Sequence, residues 1–536
     1  MTTSGGARSA GRPQLAVGDW LAAGARKYGS ARFLVAADGT ESSFAETHDR
    51  VNRLARALLD RELGVGHRVA ILATDSVPHV EVVLACFTSG AVFCDLNFRM
   101  KGPEIRRVLE AAGCDAIVVE ARYLELLDGA LPSDRGIEII TLDGSAPGHA
   151  SIEQLISAQP SCAEIPAQSI GEDVVSIAFT SGTTGTPKGV IQSERMFRNI
   201  IYSGIREMRM QEGAFRYAGA PLFHISGIGS VFYSLASGSA ILILPQFEAP
   251  TVLHWMQHGG LTDCTLIPTM ISALLELPDV AAVPYDRLRS ILYGGAPMTP
   301  ALLRRTIEVF GCELYNGFGA GTEAGGQTML YPEDHDAALA GREHLLGSIG
   351  RPVMGVDLRL CDDEMNDVPR GTVGEIVTRS DTVMHGYLDQ PELTARSIVD
   401  GWFRAGDMAY MDEDGYLYLA TRKADMIIRG GENVYPVEIE AVLAEHPAVA
   451  EVAVVGLPDD HWGEIVGAAL SLHPGAQVDT QELREFCRAR LASYKVPAVF
   501  TVFPSLPRAG TGKLDKRSLT ASMEAASVAR TGEASR

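Results

Sequence analysis

The stretch with the most chemistry per residue is Thr180-Ser181-Gly182-Thr183-Thr184-Gly185-Thr186-Pro187-Lys188-Gly189-Val190. It follows an apolar run, Val174 to Phe179, that reads as a strand. Its glycines let successive backbone N–H groups close on an anion, its hydroxyls donate further hydrogen bonds, and Lys188 adds a point charge. That chemistry is phosphate binding. It is not a Walker A loop, because Pro187 stands where that pattern requires a glycine before the lysine. A polar connection between strands is the ordinary reading of a short Gly/Ser/Thr loop; eleven such residues in a row argue for more. Four further segments hold groups that could act with it. They are His224 in Pro221-Leu222-Phe223-His224-Ile225-Ser226-Gly227, Glu323 at the end of Tyr315-Asn316-Gly317-Phe318-Gly319-Ala320-Gly321-Thr322-Glu323, Asp407 after Gly406, and Lys513 in Arg508-Ala509-Gly510-Thr511-Gly512-Lys513. Taken singly, His224, Asp407 and Lys513 each have a plain structural explanation: a core histidine, a turn aspartate, a surface lysine.

These segments need elements to hold them, and the sequence supplies an alternation of strands and helices. Val69 to Ala73 reads as a strand, Pro78 to Ser89 as a helix, Ala91 to Cys94 as a strand, Ile105 to Ala112 as a helix and Ala116 to Glu120 as a strand. The rhythm continues through Ser290 to Tyr293 and Pro300 to Phe310. Val231 to Leu244 reads as a helix end, a turn and a buried strand. The expected class is α/β with substantially parallel sheets. Past Gly347 the strands shorten, with Asp414-Gly415 as a hairpin turn. After Arg422 the pattern is compact α+β, so a boundary falls near Ala420 to Asp425. The domains expected are 15–422 and 423–521, with 1–14 and 522–536 as disordered tails.

The phosphate loop and the order of the motifs from about Phe44 to Leu519 resemble the adenylate-forming superfamily of acyl- and aryl-CoA ligases, nonribosomal adenylation domains and luciferases. The resemblance implies a large N-terminal domain of mixed α/β sheets with a distorted β-barrel subdomain, and a small mobile C-terminal domain. It implies ATP, Mg and coenzyme A as the small molecules bound. Residues Thr180 to Lys188 would grip phosphates, and Gly294, Gly295, Ala296 and Pro297 would lie beside adenine and the acid. Asn316, Gly317, Phe318 and Gly319 would flank the base, Thr322 would contact phosphate and Glu323 would hold Mg. Asp407 would bind ribose, Arg422 would contact ribose or phosphate, and Lys513 would neutralise charge during adenylation. His224, Gly227, Ile228, Tyr293, Phe318, Gly325 and Gly326 would line the acid pocket, and Gly430, Gly431 and Glu432 the thiol tunnel. The sequence departs from the family at three points: two residues, Ala320 and Gly321, stand where one is usual; Ala405 replaces threonine; and Ala424 occupies the hinge position usually held by Asp or Lys.

Composition narrows the partners. The formal charge of −21, from 46 basic and 67 acidic residues, repels nucleic acid and anionic membrane, so ATP would need the local positive site that Lys188, Arg422 and Lys513 supply. No run is apolar and long enough to span a bilayer, and no secretory h-region is present. Cys86, Cys94, Cys114, Cys162, Cys264, Cys312, Cys361 and Cys487 show neither CxxC nor zinc spacing and read as buried reduced thiols of a cytoplasmic protein. No Gly-x-Ser-x-Gly elbow supports a hydrolase. The leading expectation is an ATP-dependent acid–CoA ligase, with a homodimer plausible by analogy. The alternatives are the same adenylation with a different acceptor (an amide synthetase, or a diazotase that activates nitrite for an aryl amine) and a catalytically inactive binding homologue.

Overall fold

The apolar strand runs assemble into two large sheets that share a helical layer between them. The computed structural model describes residues 15–132, 136–144, 146–160, 164–180, 188–296, 298–429, 432–459, 461–508 and 514–533, apart from the side chains of 424 and 526–533. Among these residues, the first sheet has nine strands. Its central parallel part runs Glu313–Phe318, Ser290–Gly294, Asp263–Leu266, Phe215–Ala218, Ala240–Ile243 and Arg32–Ala36. The second sheet has eight strands. Val92–Asp95, Arg68–Leu72, Ala116–Val119 and Glu138–Thr141 are parallel, and Val174–Thr180 joins Lys188–Ser193 as an antiparallel hairpin. The expected α/β class is what the chain forms.

Helices Phe44–Leu59, Val77–Ser89, Glu194–Glu207 and Ile225–Ser237 lie between the sheets and share one core cluster with strand residues from both, including Phe33, Leu34 and Ile241 from one and Val69, Ile71 and Phe93 from the other. Phe87, Phe197 and Phe232, one from each of three helices, meet as a triangle with centroid separations of 4.7–4.9 Å. The helices start where the sequence offers caps: Ser43 accepts from the Glu46 N–H in a capping box, and Ser193 accepts from the Met196 N–H.

A curled five-stranded sheet follows, built on Asp357–Cys361, Gly374–Arg379 and Trp402–Met411, with Leu417–Arg422 folding back on the last of these. The C-terminal residues form their own sheet from Gly463–Leu472 paired with Val449–Asp459, Ile427–Arg429 and Val499–Val502. The expected tail at 522–536 is corrected by a helix, Lys516–Glu533. Leu519 and Met523 are fully buried in the C-terminal core, and the Ala-rich stretch around them has high intrinsic helix propensity. Residues 1–14 lie outside the described part.

Removing one corner of the aromatic triangle leaves a cavity that rigid neighbours cannot refill. Phe232→Ala is expected to lower unfolding free energy by roughly 3–5 kcal/mol, measured as a shifted midpoint in urea denaturation with an unchanged m-value.

Candidate active site

The stem of the expected phosphate loop is the hairpin of Val174–Thr180 and Lys188–Ser193. Thr180 and Lys188 face each other across its last pair; Ser181 to Pro187 lie outside the described residues. Nζ of Lys188 lies 5.5 Å from the centroid of the Tyr387 ring. Tyr387 is brought there by the strand Gly386–Tyr387, which pairs with Lys188–Ser193. Burial first, and then the neighbouring Glu323 carboxylate that shares a hydrogen bond with it, push the Tyr387 hydroxyl up to about 12. The phosphate-loop lysine and the expected metal-binding glutamate therefore meet at one phenol. Sequence reasoning missed Tyr387, because the contact joins residues far apart in the chain.

Glu323 sits on a single turn, Gly321–Ala324, capped by Ala320. Three carbonyls of this turn are held. Gln192 Nε2 donates to Thr322 at 2.8 Å, the Met384 N–H to Glu323 at 2.8 Å, and Thr382 Oγ1 to Ala324 at 2.7 Å. Of the two residues that stand where one is usual, Ala320 precedes the turn and Gly321 opens it. Ala320 and Ala405, two of the departures from the family pattern, pack against the same small apolar cluster as Tyr387, Met384 and Ala324. Where threonine would bring a hydroxyl, Ala405 brings apolar surface to an apolar neighbour.

Asp407 and Arg422 are cross-strand partners in the curled sheet. The Arg422 Nε reaches the Asp407 carboxylate at 3.2 Å, with Asp407 buried and Arg422 largely exposed. A buried carboxylate facing an exposed guanidinium can take a pair of ribose hydroxyls on one side and a phosphate on the other. Just beyond, Lys423 is held by Glu375 at 3.1 Å and by Asp363. Burial pushes the Glu375 carboxyl up, but Arg404 and Lys423 more than offset this and hold it below the usual range. Asp425 on the far side lies 3.8 Å from Lys516. The hinge position itself, 424, is flanked by these charge contacts. An antiparallel bridge between Arg508 and Leu514 closes the loop that carries Lys513. Residues 509–513, Gly430, Gly431 and Pro297 lie outside the described residues. Glu432 is exposed at the start of strand Glu432–Val434.

The two segments expected beside adenine lie side by side. Gly294 pairs with Gly317, and a Cβ on Gly294 would sit 2.2 Å from the Gly317 carbonyl oxygen. Glycine is required there for two backbones to approach. Gly295 and Ala296 follow directly, and Asn316 pairs with Tyr293. Gly319 is equally tight, with the Gly325 carbonyl 2.2 Å from where its Cβ would be. His224 caps helix Ile225–Ser237, its ring Nδ1 accepting from the Ser226 N–H at 3.2 Å. Gly227 lets that helix approach the Pro221 carbonyl. Phe318 is half-buried against the curled sheet, Gly325 is buried and Gly326 exposed.

Two expected pocket side chains point elsewhere. Tyr293 is 1% exposed, belongs to the core on the outer face of the nine-stranded sheet and bonds His335 Nε2 at 2.9 Å through its hydroxyl. Strand alternation places it on the Ile291 side, opposite to Leu292 and Gly294. Ile228 packs into the central core with Val231, Phe232 and Leu235. Among the described residues, no group of three His, Cys, Asp or Glu side chains could hold a metal by itself. A lone carboxylate, Glu323, suits a hard cation that arrives with phosphate oxygens of its own.

The His224 segment rests on a buried charge cluster that the sequence did not reveal. Asp75 accepts from the Leu222 N–H at 3.1 Å, and His79 bonds Asp95 at 2.8 Å with both side chains buried. Burial pushes the Asp75 carboxyl up to about 7, against the opposing pull of His79. The His79 imidazole is raised above its ordinary value: burial lowers it, and the Asp95 and Asp75 charges together more than compensate.

The AMP-binding enzyme family matches residues 21–388, and the C-terminal domain of AMP-binding enzymes matches residues 438–513. The chain is 33% identical over 489 residues to the fatty acid–acyl-carrier-protein ligase ScoC of Streptomyces coeruleorubidus, covering 90% of this chain and 92% of that one. The o-succinylbenzoate CoA synthetase of Bacillus subtilis, solved with its acyl-adenylate intermediate, superposes with a TM-score of 0.81 at 30% identity, covering 94% and 97%. The amide bond synthetase McbA of Marinactinospora thermotolerans gives 0.84 at 30% identity, covering 94% and 99%.

Both Asp75 and His79 bind protons more tightly folded than unfolded, so each contributes stability that is present at low pH and is lost as pH rises, for Asp75 through about 7. Asp75→Asn keeps an acceptor for Leu222 and removes one titration. Its melting temperature is expected to fall less than that of the wild type between pH 5 and pH 8. Equal slopes in thermal denaturation would refute the assignment.

Proposed function

Because the chain belongs to the AMP-binding enzyme family of the adenylate-forming superfamily and is an AMP-forming ligase, we propose that it activates a carboxylic acid with ATP as the acyl-adenylate and transfers the acyl group to the thiol of coenzyme A. The observation that carries this reading is the convergence of the Thr322–Glu323 turn, the Lys188–Tyr387 stem of the phosphate loop and the strand of Asp407 around one small cluster.

In the first step an oxygen of the acid attacks the α-phosphorus of ATP, and the bond to pyrophosphate breaks. Positioning and charge neutralisation lower this barrier. Lys188 and the loop before it hold the β- and γ-phosphates. Asp407 and Arg422 fix the ribose, and the close Gly294–Gly317 backbones leave a flat edge for the base. Glu323, oriented by Tyr387 and by the three hydrogen bonds to its turn, would hold Mg, which supplies charge neutralisation on phosphate oxygens. Lys513 is assigned to the charge that develops between acid and α-phosphate. In the second step the small domain turns about residue 424, Lys513 withdraws and the Gly430-Gly431 loop approaches. The thiol sulfur attacks the acyl carbon, the bond to AMP breaks, and the thiol proton passes to the medium. The carrier-protein ligase and amide synthetase among the relatives support a second reading in which the adenylation is the same and the acceptor is a carrier thiol or an amine.

Lys513→Ala is expected to lower acid-dependent ATP–pyrophosphate exchange by at least about a hundredfold while leaving the reaction of supplied acyl-adenylate with thiol intact; normal exchange would remove Lys513 from the mechanism. AMP release from ATP, Mg and a pool of acids is expected to accelerate when CoA is added, with an acyl-CoA mass appearing. AMP release that is indifferent to CoA would move the acceptor to an amine or a carrier protein.

A further inference from the structure

Beneath the strand ends that hold the adenine-side glycines, the nine-stranded sheet buries an arginine whose hydrogen-bonding capacity is unspent. Arg216 lies on strand Phe215–Ala218, on the face toward helix Ile225–Ser237, and is 7% exposed. Its Nε and Nη2 have no hydrogen-bond partner among the described residues. Leaving guanidinium donors dry and unpaired is costly. The nearest carboxylate does not relieve them. Asp263 stands 3.9 Å from Arg216 Nη1, and its oxygens are already engaged by Arg289 at 2.5 Å, Ser290 Oγ at 2.7 Å and Thr262 Oγ1 at 2.6 Å. Two guanidinium groups thus share one carboxylate, and the site is left with one positive charge in excess. Burial pulls the Arg216 guanidinium below its ordinary value, Asp263 pushes it back up, and the Arg289 charge pulls it down again.

Arg216 lines a small pocket, with ≈ 20 Å³ of space open to the centre of a water-sized group, whose walls include Met208, Ser230, Thr265, Leu292 and Tyr315. The pocket shares strand and helix faces with the candidate active site. Leu292 and Gly294 share a face of one strand and Tyr315 and Gly317 share a face of the next, while Gly227 and Ser230 lie one helical turn apart. Arg216 pairs with Asp263, which pairs with Ser290, four residues before Gly294. That is on the order of 13 Å down the strand, a span matched by an extended chain of roughly seven to ten bonds.

We propose that Arg216 is the specificity-determining residue at the far end of the acid pocket, and that the acid activated there carries a distal oxyanion, most simply a second carboxylate, that pairs with the free guanidinium edge. A planar oxyanion answers both the unspent donors and the excess charge, which an aliphatic tail would leave in place. This assignment rests on the acid-activating reading of the site.

The test compares octanedioate with octanoate in wild type, Arg216→Met and Arg216→Lys, by calorimetric binding in the presence of a non-hydrolysable ATP analogue and by ATP–pyrophosphate exchange. Circular dichroism melts establish that each variant is folded; if Arg216→Met does not fold, the Lys variant, which keeps charge and loses the fork, takes its place. Wild type is expected to bind octanedioate at least tenfold more tightly than octanoate, and Arg216→Met to erase or invert that ratio, with Arg216→Lys in between. Equal or octanoate-favouring binding by wild type, or a ratio untouched by the substitutions, overturns the proposal. Exchange reads a different question. Selective, Arg216-dependent binding without exchange by either acid leaves the distal pocket standing and counts against adenylation, whereas exchange with octanoate favoured leaves adenylation standing and removes the distal pocket.

Discussion

The turn Gly321–Ala324 is short, yet its three carbonyl hydrogen bonds tie the end of the nine-stranded sheet to the hairpin of the eight-stranded sheet through Gln192 and to the segment leading into the curled sheet through Thr382 and Met384. Buried carbonyls left unpaired would each cost free energy comparable to a lost hydrogen bond. The three bodies of the large domain therefore satisfy this turn together or not at all. The candidate active site lies where they meet, and its parts come from all three: the stem of the phosphate loop from one, the glycine-lined edge from the second, the Asp407–Arg422 pair from the third.

The departures from the family pattern are intelligible in the same terms. The added residue at 320–321 and a lost hydroxyl at 405 would each disturb a polar site if they occurred alone. Both instead place alanine against one apolar cluster, so the change is one of local packing. Around Ala424, the position expected to act as the hinge, Lys423 is bound toward the curled sheet and Asp425 toward the final helix. The expected pivot is thus a neutral residue between two charged neighbours held by different elements.

Contiguous motifs were legible in the sequence. The strand Val174–Thr180 and the hairpin turn at Asp414-Gly415 follow from local chemistry and spacing. Side-chain facing was less so. Tyr293 was expected in the acid pocket, but the two-residue alternation of its strand turns it toward His335, and Ile228 follows the apolar stripe of its helix into the core. Tyr387, Gln192, Asp75 and Arg216 escaped notice because their roles exist only through partners distant in sequence, where no local pattern marks them. The final helix escaped because Leu519 and Met523 alone anchor its described part to the core, too few apolar positions to make a periodic signal.

The state of the cysteines bears on fidelity. Seven lie among the described residues, all free and all but Cys312 buried. Burial pushes the thiols of Cys86 and Cys312 up to about 12 and that of Cys487 to about 11. An acyl-adenylate is a mixed anhydride that any competent thiolate would consume. A protein that generates one must keep its own sulfur from competing with the intended acceptor, and thiols held protonated inside the core are poor nucleophiles. For the six buried cysteines the same burial would protect them from disulfide exchange with the thiol of the proposed second step, so that they would neither capture the activated acid nor become mixed disulfides.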